Sequence, residues 1–247
     1  MKPSNTKPSI LALDLDDTLL QSDYTISKKT IGAIKKTKAM GLTIVLASGH
    51  LPEIVERYAR LLGLRRRPAY LISNNGALIT ESHTGNVVYE SILEEDAIRA
   101  ICDMADTQGF PLQMYSDNIT YISRKNEYSD MDEKRTRLRQ VLVANFRAML
   151  VERCYRLIIP GDPQQLARVD SQIQAHHGDK ISTFISRDYF LQVLHKGVNK
   201  GRSLAKVAEI MGLGPDKVMA VGDSMSDAEM IRWAGIGVAM ANGDSRL

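Results

Sequence analysis

Residues Ile10-Leu11-Ala12-Leu13 run straight into Asp14-Leu15-Asp16-Asp17-Thr18-Leu19-Leu20, so an apolar segment ends in three acids within four positions. The apolar run predicts a strand buried on both faces, as in a parallel sheet. Carboxylates at the end of such a strand fall in the crevice where open α/β sheets bind ligands. Alternate residues of extended chain point the same way, so Asp14 and Asp16 are expected to face one site. Two carboxylates about 4 Å apart repel by ~4 kcal/mol at an effective dielectric near 20, which is tolerable only where a cation or proton is shared. The same residues also fit a helix N-terminus, with the acids and Thr18 acting as caps.

The rest of the chain favours the strand. Ser27 caps a helix predicted through Met40, with Gly41 as its stop. Thr43–Ala47 is a second buried strand ending at Ser48-Gly49-His50, and Pro52 starts a helix closed by Gly63. Tyr70–Ser73 is a third strand running into the turn Asn74-Asn75-Gly76, followed by a hairpin over Ala77–Thr80 and Val87–Tyr89. This β-α-β-α-β order is the pattern of a parallel sheet flanked by helices. The middle differs: a helix over 94–107, a hairpin about Asp117-Asn118, a charged and largely helical or loop segment over 126–145, a strand over 154–159, a helix from Asp162-Pro163 and two further strands. Its size suits a separate α+β domain. The parallel pattern resumes with a helix from Lys200, a strand Val218–Val221 ending in Gly222-Asp223-Ser224-Met225-Ser226-Asp227, a short helix and a strand over 236–239.

Composition narrows the function classes. The 247 residues are 44% hydrophobic and 25% charged with a net charge of +3, ordinary for a folded protein. No basic tract is interleaved with aromatics, which disfavours nucleic acid, and Arg65-Arg66-Arg67 is expected to be a solvated turn. No apolar run approaches the ~20 residues of a membrane span, and residues 1–9 lack the apolar region of a secretory signal. Cys102 and Cys154 have no metal spacing and are expected to be buried thiols in a reducing, cytoplasmic setting.

Four groups thus fall at strand ends or helix starts: Asp14/Asp16, Ser48, Lys200 and Asp223/Asp227. They supply carboxylates for a hard cation, a hydroxyl and a lysine for a phosphate, and an acid for proton transfer. In order, Asp14-Leu-Asp-Asp-Thr18, Ala47-Ser48-Gly49, Asn199-Lys200-Gly201 and Gly222-Asp223-x-x-x-Asp227 resemble the motifs of the haloacid dehalogenase (HAD) superfamily phosphatases. Ser73-Asn74-Asn75-Gly76-Ala77 and the long insertion resemble its Cof-type subfamily. The resemblance implies an α/β fold: a three-layer Rossmannoid core with a parallel sheet, built from residues 1–81 and 190–247, plus an inserted α+β cap over 82–189 that sets substrate specificity. It implies Mg2+ held by Asp14, the backbone carbonyl of Asp16, and Asp223, with Asp227 in support. Asp14 would be the nucleophile that becomes an aspartyl-phosphate and Asp16 the acid and base. Ser48, Gly49 and Lys200 would bind the phosphoryl group, with Thr18, Asn75 and Ser226 in supporting places. The substrate would be a small phosphorylated metabolite, such as a sugar phosphate.

Three departures stand out. Ser226 replaces the usual Asn, with the expected loss or shift of a contact; His50 replaces a frequent Arg; and the chain stops at Leu247, where relatives usually continue through a strand and helix, so a core edge is expected to be uncovered. Competing readings are a phosphotransferase or mutase on the same scaffold and a binding protein that kept the fold. Asp14 with Asp16 argues against the latter, because a binder has no need of the pairing.

Overall fold

The computed structural model describes residues 7–247 except 67, 117–118 and 151–153. Arg67 and the Asp117-Asn118 turn therefore lie outside the described residues. In chain order the regular elements are β1 (Ile10–Leu13), α1 (Lys28–Ala39), β2 (Thr43–Ala47), α2 (Pro52–Leu61), β3 (Tyr70–Ser73), β4 (Leu78–Glu81) and β5 (Val87–Glu90). They continue with α3 (Glu95–Gln108), β6 (Gln113–Ser116), β7 (Ile119–Ile122), α4 (Glu127–Thr136), β8 (Arg139–Leu142), α5 (Phe146–Met149), β9 (Leu157–Pro160), α6 (Pro163–His177), β10 (Ile181–Arg187) and β11 (Phe190–His195). The last are α7 (Lys200–Ile210), β12 (Val218–Gly222), α8 (Ala228–Trp233) and β13 (Ile236–Ala239). Two compact units result, one ending at Glu90 and resuming at Val198, the other spanning Ser91–Gly197.

The first unit holds a seven-stranded sheet in the order β13-β12-β1-β2-β3-β4-β5. Its first five strands are parallel, and β4 and β5 add an antiparallel hairpin. Alternation along the strands separates two cores. Ile10, Ala12, Val45 and Ala47 join Leu204, Val207 and Met230 from α7 and α8, whereas Leu13, Ile44 and Leu46 join Ile34, Val55 and Tyr58 from α1 and α2. Helices on both faces of parallel strands give the expected three layers. Ser27 accepts the Thr30 N–H as the cap of α1 at 3.0 Å. Lys38, on the apolar-periodic face of α1, uses Nζ to cap the end of α2, donating to the carbonyls of Leu62 at 3.0 Å and Gly63 at 2.7 Å.

The second unit is a six-stranded sheet in the order β10-β11-β9-β6-β7-β8. Its main core gathers Ile98, Ile101, Leu157, Ile159, Leu166, Val169 and Ile173. The segment 126–145 divides into α4 and β8, the strand being hidden in the sequence by its charge and half-exposed edge position. The unit borders fall beyond those suggested by the sequence at 81/82 and 189/190. β5 continues the large sheet beside β4, and β11 belongs to the smaller sheet between β10 and β9.

The acidic loop is neither a plain strand end nor a helix start. Leu15–Leu19 makes one wide turn, closed by Leu20 N–H donating to Leu15 O at 2.8 Å, with Asp16 extended and Asp17 at φ 56°. Asp and Asn tolerate this left-handed region better than most residues.

Two glycines give opposite expectations. A Cβ on Gly201 would lie 2.6 Å from the Glu229 carbonyl carbon, so α7 meets the α8 backbone there at a distance only glycine allows. Gly32, within α1, is open: a Cβ added there would meet nothing within 4 Å. Urea unfolding should therefore show Gly201→Ala destabilised by ~1–3 kcal/mol through overpacking. Gly32→Ala should be stabilised by ~0.5–1 kcal/mol through lower chain entropy and better helix propensity.

Candidate active site

The strands β12, β1, β2 and β3 lie side by side, with Leu13 level with Val221 and Leu46, and Ala47 level with Ile72. Their carboxyl ends therefore deliver four loops to one edge: the Asp223 loop, the Asp14 loop, Ser48-Gly49-His50 and Asn74-Asn75-Gly76. Asp14 N–H still donates to Val221 O at 3.1 Å, which fixes the nucleophile candidate at the last rung of the sheet.

Lys200 is the first residue of α7, which is capped by Asn199 accepting the Arg202 N–H at 2.8 Å. Its ammonium donates to Asp14 Oδ1 at 2.6 Å and Asp227 Oδ1 at 2.7 Å, with the lysine side chain 3% exposed. The other Asp227 oxygen, Oδ2, accepts from the backbone N–H groups of Asp223 at 3.2 Å and Ser224 at 3.1 Å and from Ser224 Oγ at 3.1 Å. Thr18 Oγ1 donates to Asp223 Oδ1 at 2.8 Å, tying the first acidic loop to the last across 205 positions of sequence.

The charges explain the titration behaviour. Burial pushes the Asp14 carboxyl up to about 7, with Lys200 opposing and the Asp227 charge adding to the rise. For Lys200 burial alone would lower the pKa, but Asp14 and Asp227 outweigh it and hold the ammonium above its ordinary range. Asp223 is also raised, first by burial, with Thr18 opposing and Asp227 adding. Oxygens of Asp14, Asp223 and Asp227 lie within 4.8 Å of one another. With all three carboxyls ionised, one ammonium leaves a deficit of positive charge, and an all-oxygen donor set fits a hard divalent cation such as Mg2+.

The Asp16 carboxylate is not part of that cluster. It accepts instead from His50 Nε2, which lies 3.1 Å from Oδ1 and 2.9 Å from Oδ2. Asp14 and Asp16 thus have separate neighbours, where alternation along extended chain predicts one shared site; the wide turn at Leu15–Leu19 breaks the strand periodicity. Ser48 is buried, and its Oγ accepts the His50 N–H at 3.1 Å, so its own O–H remains to donate elsewhere. Asn75 donates its N–H to Ser48 O at 3.0 Å, and its side chain lies so close to Gly49 that a Cβ there would sit 2.8 Å from Oδ1. Ser226 turns its hydroxyl to Ser224 Oγ at 2.8 Å.

Some contacts have no sequence signal. Asn242 Nδ2 donates to Asp17 O at 2.9 Å, and Asp244 N–H donates to Asp223 O at 2.7 Å, so the segment after β13 braces both acidic loops. The Asn-Gly-Asp of 242–244 is a recognisable turn signal, but nothing in it announces these partners.

The profile of the haloacid dehalogenase-like hydrolases matches residues 11–247. Among curated proteins, "Putative phosphatase YxeH" of Bacillus subtilis (strain 168) is 31% identical over 238 residues, covering 94% of this chain and 87% of that protein. The 5-amino-6-(5-phospho-D-ribitylamino)uracil phosphatase YitU of the same organism is 26% identical over 243 residues, covering 96% and 88%. A haloacid dehalogenase-like hydrolase from Bacteroides thetaiotaomicron superposes with a TM-score of 0.87 at 26% identity, covering 97% of this chain and 91% of that structure. The chain belongs to the haloacid dehalogenase-like hydrolases, as a Cof-type phosphatase of that superfamily.

The buried charge cluster makes a direct prediction. Lys200→Met leaves Asp14 and Asp227 buried without their counter-charge and should cost ~3–5 kcal/mol in chemical denaturation at neutral pH. Adding Asp227→Asn to that variant should recover part of the loss, because the two sites share one interaction.

Proposed function

We propose that the protein is a Mg2+-dependent phosphomonoester hydrolase of small phosphorylated metabolites, sugar phosphates among them, and that it works through an aspartyl-phosphate on Asp14. The observation that carries this reading is the buried lysine between Asp14 and Asp227, with Asp223 alongside, at the carboxyl edge of the parallel sheet. Asp14 and Asp223, with the Asp16 backbone carbonyl, would hold the ion, and Asp227 would support from the loop. Bound there, Mg2+ supplies positive charge that lets an anionic nucleophile meet an anionic ester and offsets charge in the transition state.

The protein groups divide the remaining work. An Asp14 oxygen forms the bond to phosphorus as the ester P–O bond breaks, and Asp16 gives its proton to the departing oxygen. Asp16 then takes a proton from water, whose oxygen attacks phosphorus and releases Asp14 and inorganic phosphate. Lys200, Ser48 and the Gly49 backbone would hold phosphoryl oxygens. The unit Ser91–Gly197 is assigned substrate selection, as the cap implied by the resemblance.

Among the described residues no helix is long and apolar enough to cross a membrane. Cys102 and Cys154 are buried free thiols, which supports a reducing, cytoplasmic setting.

Two measurements test the chemistry. Removing divalent ions with a chelator should abolish phosphate release and Mg2+ should restore it; full turnover with negligible metal would overturn the metal assignment. Asp14→Asn should abolish turnover, whereas Asp16→Asn should lose roughly 10²–10⁴-fold in proton transfer yet still form the phosphoenzyme from p-nitrophenyl phosphate. Mass spectrometry should then find phosphate on Asp14, and label on another residue would sink the mechanism. One phosphate released per ester consumed separates hydrolysis from transfer to a second acceptor.

A further inference from the structure

Asp16 sits at the mouth of the site with its side chain 49% exposed. An exposed aspartate exchanges among staggered rotamers, and only some of these present the carboxyl to a leaving oxygen. Proton transfer demands a positioned group within hydrogen-bond reach. Some feature of the fold must therefore select the rotamer, and the His50 imidazole is in contact with the Asp16 carboxylate.

His50 is well placed to do so. Its backbone is fixed from both sides: its N–H donates to Ser48 Oγ at 3.1 Å, and its carbonyl accepts the Asn74 N–H at 2.9 Å. It stands between β2 and the start of α2 at Pro52, elements that belong to the packed core of the large unit. The imidazole is 27% exposed and reaches the two Asp16 oxygens at 3.1 and 2.9 Å. With Asp16 ionised the contact requires a proton on the ring nitrogen, which the Nε2–H tautomer of the imidazole supplies.

We infer that His50 is the positioning residue for the acid–base Asp16: its Nε2–H holds the Asp16 carboxylate in the orientation used for proton transfer. The inference rests on the phosphatase reading and adds to it a residue to which that reading gives no part in holding the phosphoryl group or the ion. The hydrogen bond carries the effect, so a neutral donor at the same place should replace the imidazole. A glutamine amide places its nitrogen close to where Nε2 lies and supplies that donor without a ring; alanine supplies none.

The test compares His50→Ala and His50→Gln with wild type on benzyl phosphate, whose alkoxide departs poorly without a proton, and p-nitrophenyl phosphate, whose leaving group needs little help. His50→Ala should lose roughly 10- to 100-fold in kcat/KM on benzyl phosphate, the scale of a misplaced catalytic group, and much less on p-nitrophenyl phosphate. On the latter ester more of the enzyme should be trapped as phospho-Asp14, because the hydrolytic step also needs Asp16. His50→Gln should restore most of both. Equal losses on the two esters, or no rescue by glutamine, would overturn the inference while leaving the phosphatase reading intact. If wild type released phosphate from no phosphomonoester, the phosphatase reading would fail and the catalytic role of His50 with it. The pairing itself has an activity-free readout in wild-type protein, which also serves if a variant misfolds. Long-range 1H–15N spectra should show the His50 Nε2 protonated and its resonance displaced in Asp16→Ala; an unmoved resonance overturns the pairing.

Discussion

The contact on which the site depends is the Lys200 ammonium, buried between Asp14 and Asp227. Removing a lysine and two carboxylates from water costs several kcal/mol per ion, and only short, well-directed hydrogen bonds recover it. That requirement fixes three distant parts of the chain at once: the end of β1, the first turn of α7 and the loop after β12. It also explains why Asp227 is tied so tightly. One oxygen faces Lys200 and the other accepts from two backbone amides and a serine hydroxyl, so the residue closes its own loop as it meets the lysine.

The parallel sheet makes such convergence possible. Level strand ends bring the loops to one edge, and the covering helices keep water from the cluster's base. The residual negative charge after Lys200 is counted is a consequence of the same packing, because among the described residues no second buried cation accompanies the three carboxylates. Asp223 is the least enclosed of the three, held by Thr18 and without a lysine contact.

Much of this is legible in the sequence. Asp14, Lys200, Asp223 and Asp227 are chemically conspicuous residues, each beside an apolar run or a helix cap, and their order carries the family resemblance. The antiparallel hairpin at β4 and β5 is legible too, as two short segments separated by a turn containing Gly85. The wide turn after Asp14 is not, because it depends on the left-handed Asp17 and on tertiary bonds such as Thr18 to Asp223. Nor is β8, whose Arg139 and Gln140 read as polar surface until a neighbouring strand is supplied. The unit borders are misplaced in the sequence for the same reason: strands β5 and β11 are assigned by their partners, which local pattern does not name.

Two acids separated by a single residue end in opposite surroundings, and that difference fits the division of labour proposed for them. Asp14 is buried and faces an ammonium, which holds its oxygen in place and opposes the rise that burial gives its carboxyl. Asp16 is half exposed and faces an imidazole, surroundings that suit the acid and base role proposed for it. Pairs of titratable groups whose environments diverge are how one site runs nucleophilic and acid–base chemistry together. The wide turn at Leu15–Leu19 creates the divergence here: an uninterrupted strand would have sent both carboxylates to the same neighbours, and a helix would have spent them on its own amides.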